Sequence, residues 1–158
     1  MKRTAWKRPL GILAVIAVAT LTVAVVYLTS FSAILVNGVV DHKAVLGMND
    51  QASRTLLLII PDCVVIKDPA LLDLFQGQGS NLTINETLDR KMHNLGYSQI
   101  FYLGSIRVST NDPINGIGQG ETLQYFMNRD DFNRLTINDS VSYEVDRFQG
   151  ATISKVHD

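Results

Sequence analysis

The sequence has a single cysteine, Cys63, so no internal disulfide, thiolate zinc site or iron–sulfur cluster can form within the chain. Charge is low in both signs: Lys and Arg total 14, Asp and Glu 15, and the formal net charge is −1. No basic stripe with interleaved aromatics occurs, so nucleic acid is not an expected partner. The three histidines, His42, His93 and His157, lack partners at metal-ligand spacing, and no metal site is expected. A P-loop and a Gly-x-Ser-x-Gly elbow are also missing. Gly116-Ile117-Gly118-Gln119-Gly120 carries close glycines but lacks the strand–turn–helix setting and later acid of a dinucleotide fold. With no nucleophile–base pair evident, a secreted hydrolase is disfavoured.

What the sequence has in excess is an apolar N-terminal run. No charged residue occurs from Pro9 to Val40, and Leu10–Leu28 is apolar enough and long enough to span a bilayer as a helix of ~20 residues. Lys2, Arg3, Lys7 and Arg8 precede it, which by the positive-inside rule keeps the N-terminus cytoplasmic. Trp6 and Tyr27 sit near its two ends. A cleaved signal peptide, with Ser30-Phe31-Ser32 as its small-x-small site, is the competing reading. The expected organisation is a basic cytoplasmic tail over 1–9, a transmembrane anchor over 10–36, a linker helix over 37–60 and an extracytoplasmic domain over 61–158. The expected location is the inner or plasma membrane, single-pass.

In the linker, Ala44, Val45, Met48, Ala52, Leu56 and Ile59 recur at roughly helical spacing, and Pro61-Asp62 ends the run. Cys63–Ile66 reads as a short buried strand, with Cys63 a small hydrophobe. Thr83 and Glu86 have capping-box spacing and predict a helix over 83–95, with Ile84, Leu88, Met92 and Leu95 on one face and Gly96 ending it. Residues 97–103 and 105–109 read as β with Gly104 a break or bulge, 110–120 as a loop, 122–135 as a helix and 137–145 as a strand. Asn81, Asn85 and Asn138 head formal glycosylation sequons, read as capping and surface chemistry. The expected fold class is α+β: one N-terminal transmembrane helix and one small mixed domain.

Two segments carry candidate chemistry: the loop 112–118 and the C-terminal stretch Asp146-Arg147-Phe148-Gln149-Gly150-Ala151-Thr152-Ile153-Ser154. Gly150 and Ala151 are small enough for a phosphate to approach the backbone, and Thr152 and Ser154 supply hydroxyls. A helix or tight turn starting there would offer free N–H groups to an anion. Asp146 would repel a phosphate, so its role is to hold the loop or to bind a metal for a modifying enzyme. Read on spacing alone, the stretch is an ordinary turn from a strand into a tail with small residues.

Asp146-x-x-x-Gly150-Ala151-Thr152-x-Ser154 resembles the flavinylation motif of FMN-binding domains, as found in the G subunit of the Rnf electron-transport complex and the C subunit of the sodium-pumping NADH:quinone oxidoreductase. Gly116-Ile117-Gly118 resembles the Gly-Leu-Gly part of that family's upstream loop, while Gln149 stands where the family carries Ser or Thr. The resemblance implies FMN esterified to Thr152 by a separate flavin transferase, with Gly150, Ala151, Ser154, Asp146, Gly116 and Gly118 around it. It further implies a membrane-anchored electron carrier working with other subunits of an ion-translocating complex, in contact with membrane lipid. The alternative is a non-catalytic, membrane-tethered interaction or assembly protein.

Overall fold

The computed structural model describes residues 16–26, 33–49 and 52–157, which fall in two compact units divided between Ser32 and Ala33. In the first unit, 16–26 form a helix, α1. At 1.5 Å per residue this described stretch is roughly 16 Å long. No helix among the described residues is long and apolar enough to cross a membrane. This overturns the expected single-pass anchor and the membrane localisation built on it. The basic tail 1–9 and residues 10–15 and 27–32 of that anchor lie outside the described residues, and its last part, Ile34 to Val36, is already strand.

The second unit is dominated by antiparallel sheet, not by a mixture of helices and strands. Its elements are β1 (Ile34–Met48), β2 (Ser53–Ile60), β3 (Cys63–Ile66), a short 3-10 turn (Pro69–Leu71), α2 (Leu72–Phe75), α3 (Glu86–Asn94), β4 (Gln99–Val108), β5 (Thr122–Met127), α4 (Arg129–Arg134), β6 (Ser140–Val145) and β7 (Ile153–His157). β1 is the organiser. It pairs with β4 from Gly38 to Met48, with β6 over Ile34–Val39 and with β2 over Lys43–Met48, all antiparallel. β5 extends β4, β7 extends β6 and β3 extends β2. The two ends of the sheet then meet: Phe126 bridges Thr152 in parallel, and Phe126 N–H donates to the Ala151 carbonyl at 2.7 Å. β1–β4–β5–β7–β6 thus close on themselves as a small barrel with a connection like that of a five-stranded Greek-key barrel of the OB type. The β2–β3 hairpin, α2 and α3 form an insertion between β1 and β4.

The expected linker helix over 37–60 is therefore a pair of strands. β1 is central, and Ala44 and Val45 are both buried although they point to opposite faces. Such a strand shows an apolar run instead of alternation. Register shifts at Val40/His42 and Val45/Leu46 disturb the period further. The expected helix over 122–135 divides at Asn128, whose side chain caps α4 by accepting the Asp131 N–H at 2.8 Å, leaving β5 before it. Asn85, not Thr83, caps α3, accepting the Leu88 N–H at 2.9 Å. Ile84, expected on that helix, lies ahead of it, where the Asn133 amide both accepts its N–H and donates to its carbonyl. Gly104 is no break but a close approach inside a continuous β4: a Cβ there would lie 2.6 Å from Leu135 and 2.8 Å from Met127. The strand expected from 137 begins at Ser140, after Asn138 turns the chain with φ 68°. Cys63 is exposed at the β2–β3 turn, not buried.

The inner face of the sheet, with Val45, Leu57, Tyr102 and Met127, packs on α2, α3 and α4 through Phe75, Met92 and Phe132. Lys43 crosses this core at 1% exposure. Its ammonium donates to the carbonyls of Phe132 (3.2 Å) and Leu135 (2.9 Å) and lies 4.5 Å from the Phe132 ring, so it closes the C-terminal end of α4 from inside. Burial lowers its pKa to about 8.

Candidate functional site

The fold brings the loop 112–118 against the turn 146–152. Asp112 is fully buried and its carboxylate is spanned by four donors: the N–H groups of Ile114 and Asn115, the Asn115 amide at 2.7 Å and the Tyr125 hydroxyl at 2.7 Å. A buried carboxylate so satisfied fixes the loop instead of offering a reactive oxygen. Asp112 also pairs through its backbone with Ile117, and Gly116 turns the loop with φ 68°. Asn115 then reaches across: its Oδ1 accepts the Ala151 N–H at 2.7 Å.

Behind the loop, the rings of Tyr125 and Tyr143 meet edge to face with centroids 5.1 Å apart, and both side chains are fully buried. Burial raises both hydroxyl pKa values. Tyr125 is raised further by its bond to the Asp112 carboxylate, whereas the neighbouring Tyr125 hydroxyl tempers the rise of Tyr143, which reaches about 12. Tyr143 Oη has no hydrogen-bond partner of good geometry. It feels Tyr125 as a nearby dipole, and the two do not make a formed bond.

In the C-terminal stretch, Asp146 holds the turn: its Oδ1 accepts the N–H groups of Phe148 (2.7 Å) and Gln149 (3.1 Å). Ala151 takes φ 57°, and a Cβ on Gly150 would lie 3.4 Å from Asn115 Oδ1. Ser154 is exposed and donates to the Glu144 carbonyl. Gly118 N–H donates to Glu121 at 2.6 Å. The amides of Phe148, Gln149 and Ala151, which an anion would need, are thus already bound to Asp146 and Asn115, and Asp146 adds negative charge beside them. The turn is not shaped as a phosphate nest.

Thr152 is half-buried and, as the bridge partner of Phe126, shares its side of the sheet. That side carries a feature missing from the sequence reading. Following the cross-strand partners, Val65, Leu58, Ala44, Leu103, Phe126 and Thr152 form one row across β3, β2, β1, β4, β5 and the start of β7. The row is on the face opposite this unit's helices; Ala44 and Leu103 are buried within it, and Val65 and Leu58 are half-buried. Phe126 is 40% exposed, and Phe101 meets it edge-on at 5.9 Å. Phe148, at the tip of the neighbouring turn, is 70% exposed. The signal for this was present: read as a strand, 122–127 puts Tyr125 and Phe126 on opposite faces. The expected helix instead turned Phe126, with Leu123, Met127 and Leu135, toward the core.

The chain matches no protein-family model, no curated protein and no solved structure.

Proposed function

We propose that the β-barrel unit is a non-catalytic binding module whose ligand face is the outer side of β4 and β5, centred on Phe126. One observation carries this reading: the Phe126 ring, 40% exposed, stands at the end of an apolar cross-strand row in which Val65 and Leu58 are half-buried and Ala44 and Leu103 are buried. Aromatic anchors with small neighbours are what a protein partner seats on. Every acidic residue of the chain lies beyond residue 40, while four of the basic ones precede residue 9, so this unit is acidic and its partner is neutral or basic. Phe126→Ser with Leu58→Ser should keep the melting temperature within a few degrees and abolish the crosslinks to a partner that the wild-type chain forms in its native cell extract. Crosslinks of equal yield through other surfaces would refute this face.

A flavin carrier with FMN esterified to Thr152 is the second reading, supported by the place of Thr152 beside the exposed Phe126 ring. FMN, when bound, supplies one- and two-electron transfer. This chain would contribute an aromatic surface for the ring, without the amide nest for the phosphate. Co-expression with a flavin transferase, followed by intact mass, tests it: the mass should rise by one dehydrated FMN and not do so in Thr152→Val.

A further inference from the structure

We propose that Asn115 is a site of spontaneous covalent modification: attack by the Gly116 amide nitrogen, followed by hydrolysis with water, converts it to aspartate or isoaspartate and unlocks the loop 112–118 from the turn 146–152. This site does not depend on the Phe126 face. The sequence holds two Asn-Gly pairs, Asn37-Gly38 and Asn115-Gly116, each flanked by β-branched residues: Val36 and Val39, Ile114 and Ile117. Asparagine before glycine closes a succinimide ring readily, because glycine leaves the attacking nitrogen unhindered and its backbone turns freely. With such similar neighbours, the fold alone separates the two pairs.

Asn37-Gly38 lies in β1 between β4 and β6. Val40 donates its N–H to Asp139 on the β6 side, so Gly38, two residues earlier, has its N–H in the same ladder opposite Val141. A Cβ on Gly38 would lie 2.8 Å from the Arg107 carbonyl oxygen, which leaves the backbone little room to turn. The Asn37 carboxamide is held as well, accepting from the Ser142 hydroxyl. Gly116, by contrast, is exposed, with open space where a Cβ would stand, and its N–H finds no acceptor among the described residues. The Ala151 N–H on Asn115 Oδ1 draws electron density from Cγ, the atom attacked. One contact opposes the reaction: Nδ2, the nitrogen that must leave, donates to Asp112. The barrier is therefore the opening of an exposed loop, which costs far less than opening a central ladder.

In the first step a bond forms between Gly116 N and Asn115 Cγ, the Cγ–Nδ2 bond breaks, and ammonia leaves with the amide proton. Water then opens the ring. Cleavage of the new N–Cγ bond gives aspartate; cleavage of the original peptide bond leaves the chain running through Cγ, as isoaspartate. No oxidant or reductant takes part. Aspartate puts a carboxylate oxygen where Nδ2 now stands, 2.7 Å from the Asp112 carboxylate, and Asp112 is buried. Like charges at that distance repel strongly. Isoaspartate adds a methylene to the main chain and moves the side group away. Either product releases the loop from Ala151.

The test is ageing of the full chain in mildly alkaline buffer, read by peptide mass mapping of both pairs, beside a sample kept unfolded in urea. Unfolded, the two pairs should convert at similar rates. Folded, Asn115 should gain one mass unit more than about tenfold faster than Asn37, and isoaspartate should be among the products, as ring closure requires. The converted chain carries an added negative charge and separates by ion exchange. Its Ala151 amide should exchange hydrogen faster than in the unaged chain, with the β1–β4 ladder unchanged. Asn115→Asp should show the same exchange pattern without ageing. Equal rates for the two pairs in the folded chain, no conversion of Asn115 there, aspartate as the sole product, or unchanged Ala151 exchange in the aged chain would overturn the proposal.

Discussion

Asn115 Oδ1 accepts the backbone N–H of Ala151 at 2.7 Å, across 36 residues of chain. The same amide donates to Asp112, so one side chain ties the loop after β4 to the turn before β7 and helps close the barrel where Phe126 of β5 bridges Thr152 just ahead of β7. Asn115→Ala removes both bonds and leaves the Ala151 donor and one Asp112 oxygen short of partners. The expected cost is about 1–3 kcal/mol. It should appear as a lower urea midpoint and as faster hydrogen exchange at Ala151 than at the β1–β4 ladder. Unchanged exchange at Ala151 would show that the turn holds without it.

Tyr125 and Tyr143 lie in contact and differ in one respect: the hydroxyl of Tyr125 is bonded to Asp112 and that of Tyr143 has no formed bond. Tyr125→Phe should therefore destabilise by about 1–3 kcal/mol, because it leaves part of a buried carboxylate unsatisfied. Tyr143→Phe should be neutral or stabilise by up to about 1 kcal/mol, since it deletes a polar atom buried without a partner. Equal losses in the two variants, measured by chemical denaturation, would mean that the hydroxyls act as one network.

Stability should rise above pH 8 and then fall. Lys43 is held near 8 in the fold against 10.5 in the free chain, so between these values the unfolded state carries a proton that the folded state has released, and unfolding becomes harder as pH increases. The full effect is at most about 3 kcal/mol. Tyr102, Tyr125 and Tyr143 act in the opposite sense, all raised chiefly by burial. Their stabilisation is complete below the ordinary tyrosine value of about 10 and is lost as pH climbs beyond it. Melting temperatures from pH 7 to 11 should pass through a maximum between pH 9 and 10. Lys43→Met should remove the rising limb and keep the falling one; a rising limb that persists in this variant would assign it to another group.

Much of the local structure was legible in the residues. The amphipathic helix near 86–94, the strand at 63–66 and the turn punctuated by Gly96 each rest on signals within a few residues. So does the role of Asp146 as a loop holder, since an aspartate commonly bonds to amides two and three residues on. The segments 112–118 and 146–154 were also recognisable as unusual, through their small residues. Their mutual contact was not, because it depends on Asn115 meeting a residue far along the chain.

β1 and β5 mark the boundary. Apolar residues in a central strand appear on both faces, so residues 37–48 carry no alternation to separate them from a helix, and β5 holds both a helically spaced set, Leu123, Phe126 and Met127, and an alternating one, Leu123, Tyr125 and Met127. Composition and local spacing by themselves determined the turns at Pro61-Asp62 and Gly96 and which chemistries lack their residues. Tertiary structure alone decided that β1 binds three partners, that Phe126 faces away from the core while Tyr125 fills it, and that Lys43 ends buried beneath α4. Each of these is set by sheet pairing between distant segments, whose free energy comes from burying two surfaces together and is written in neither segment alone.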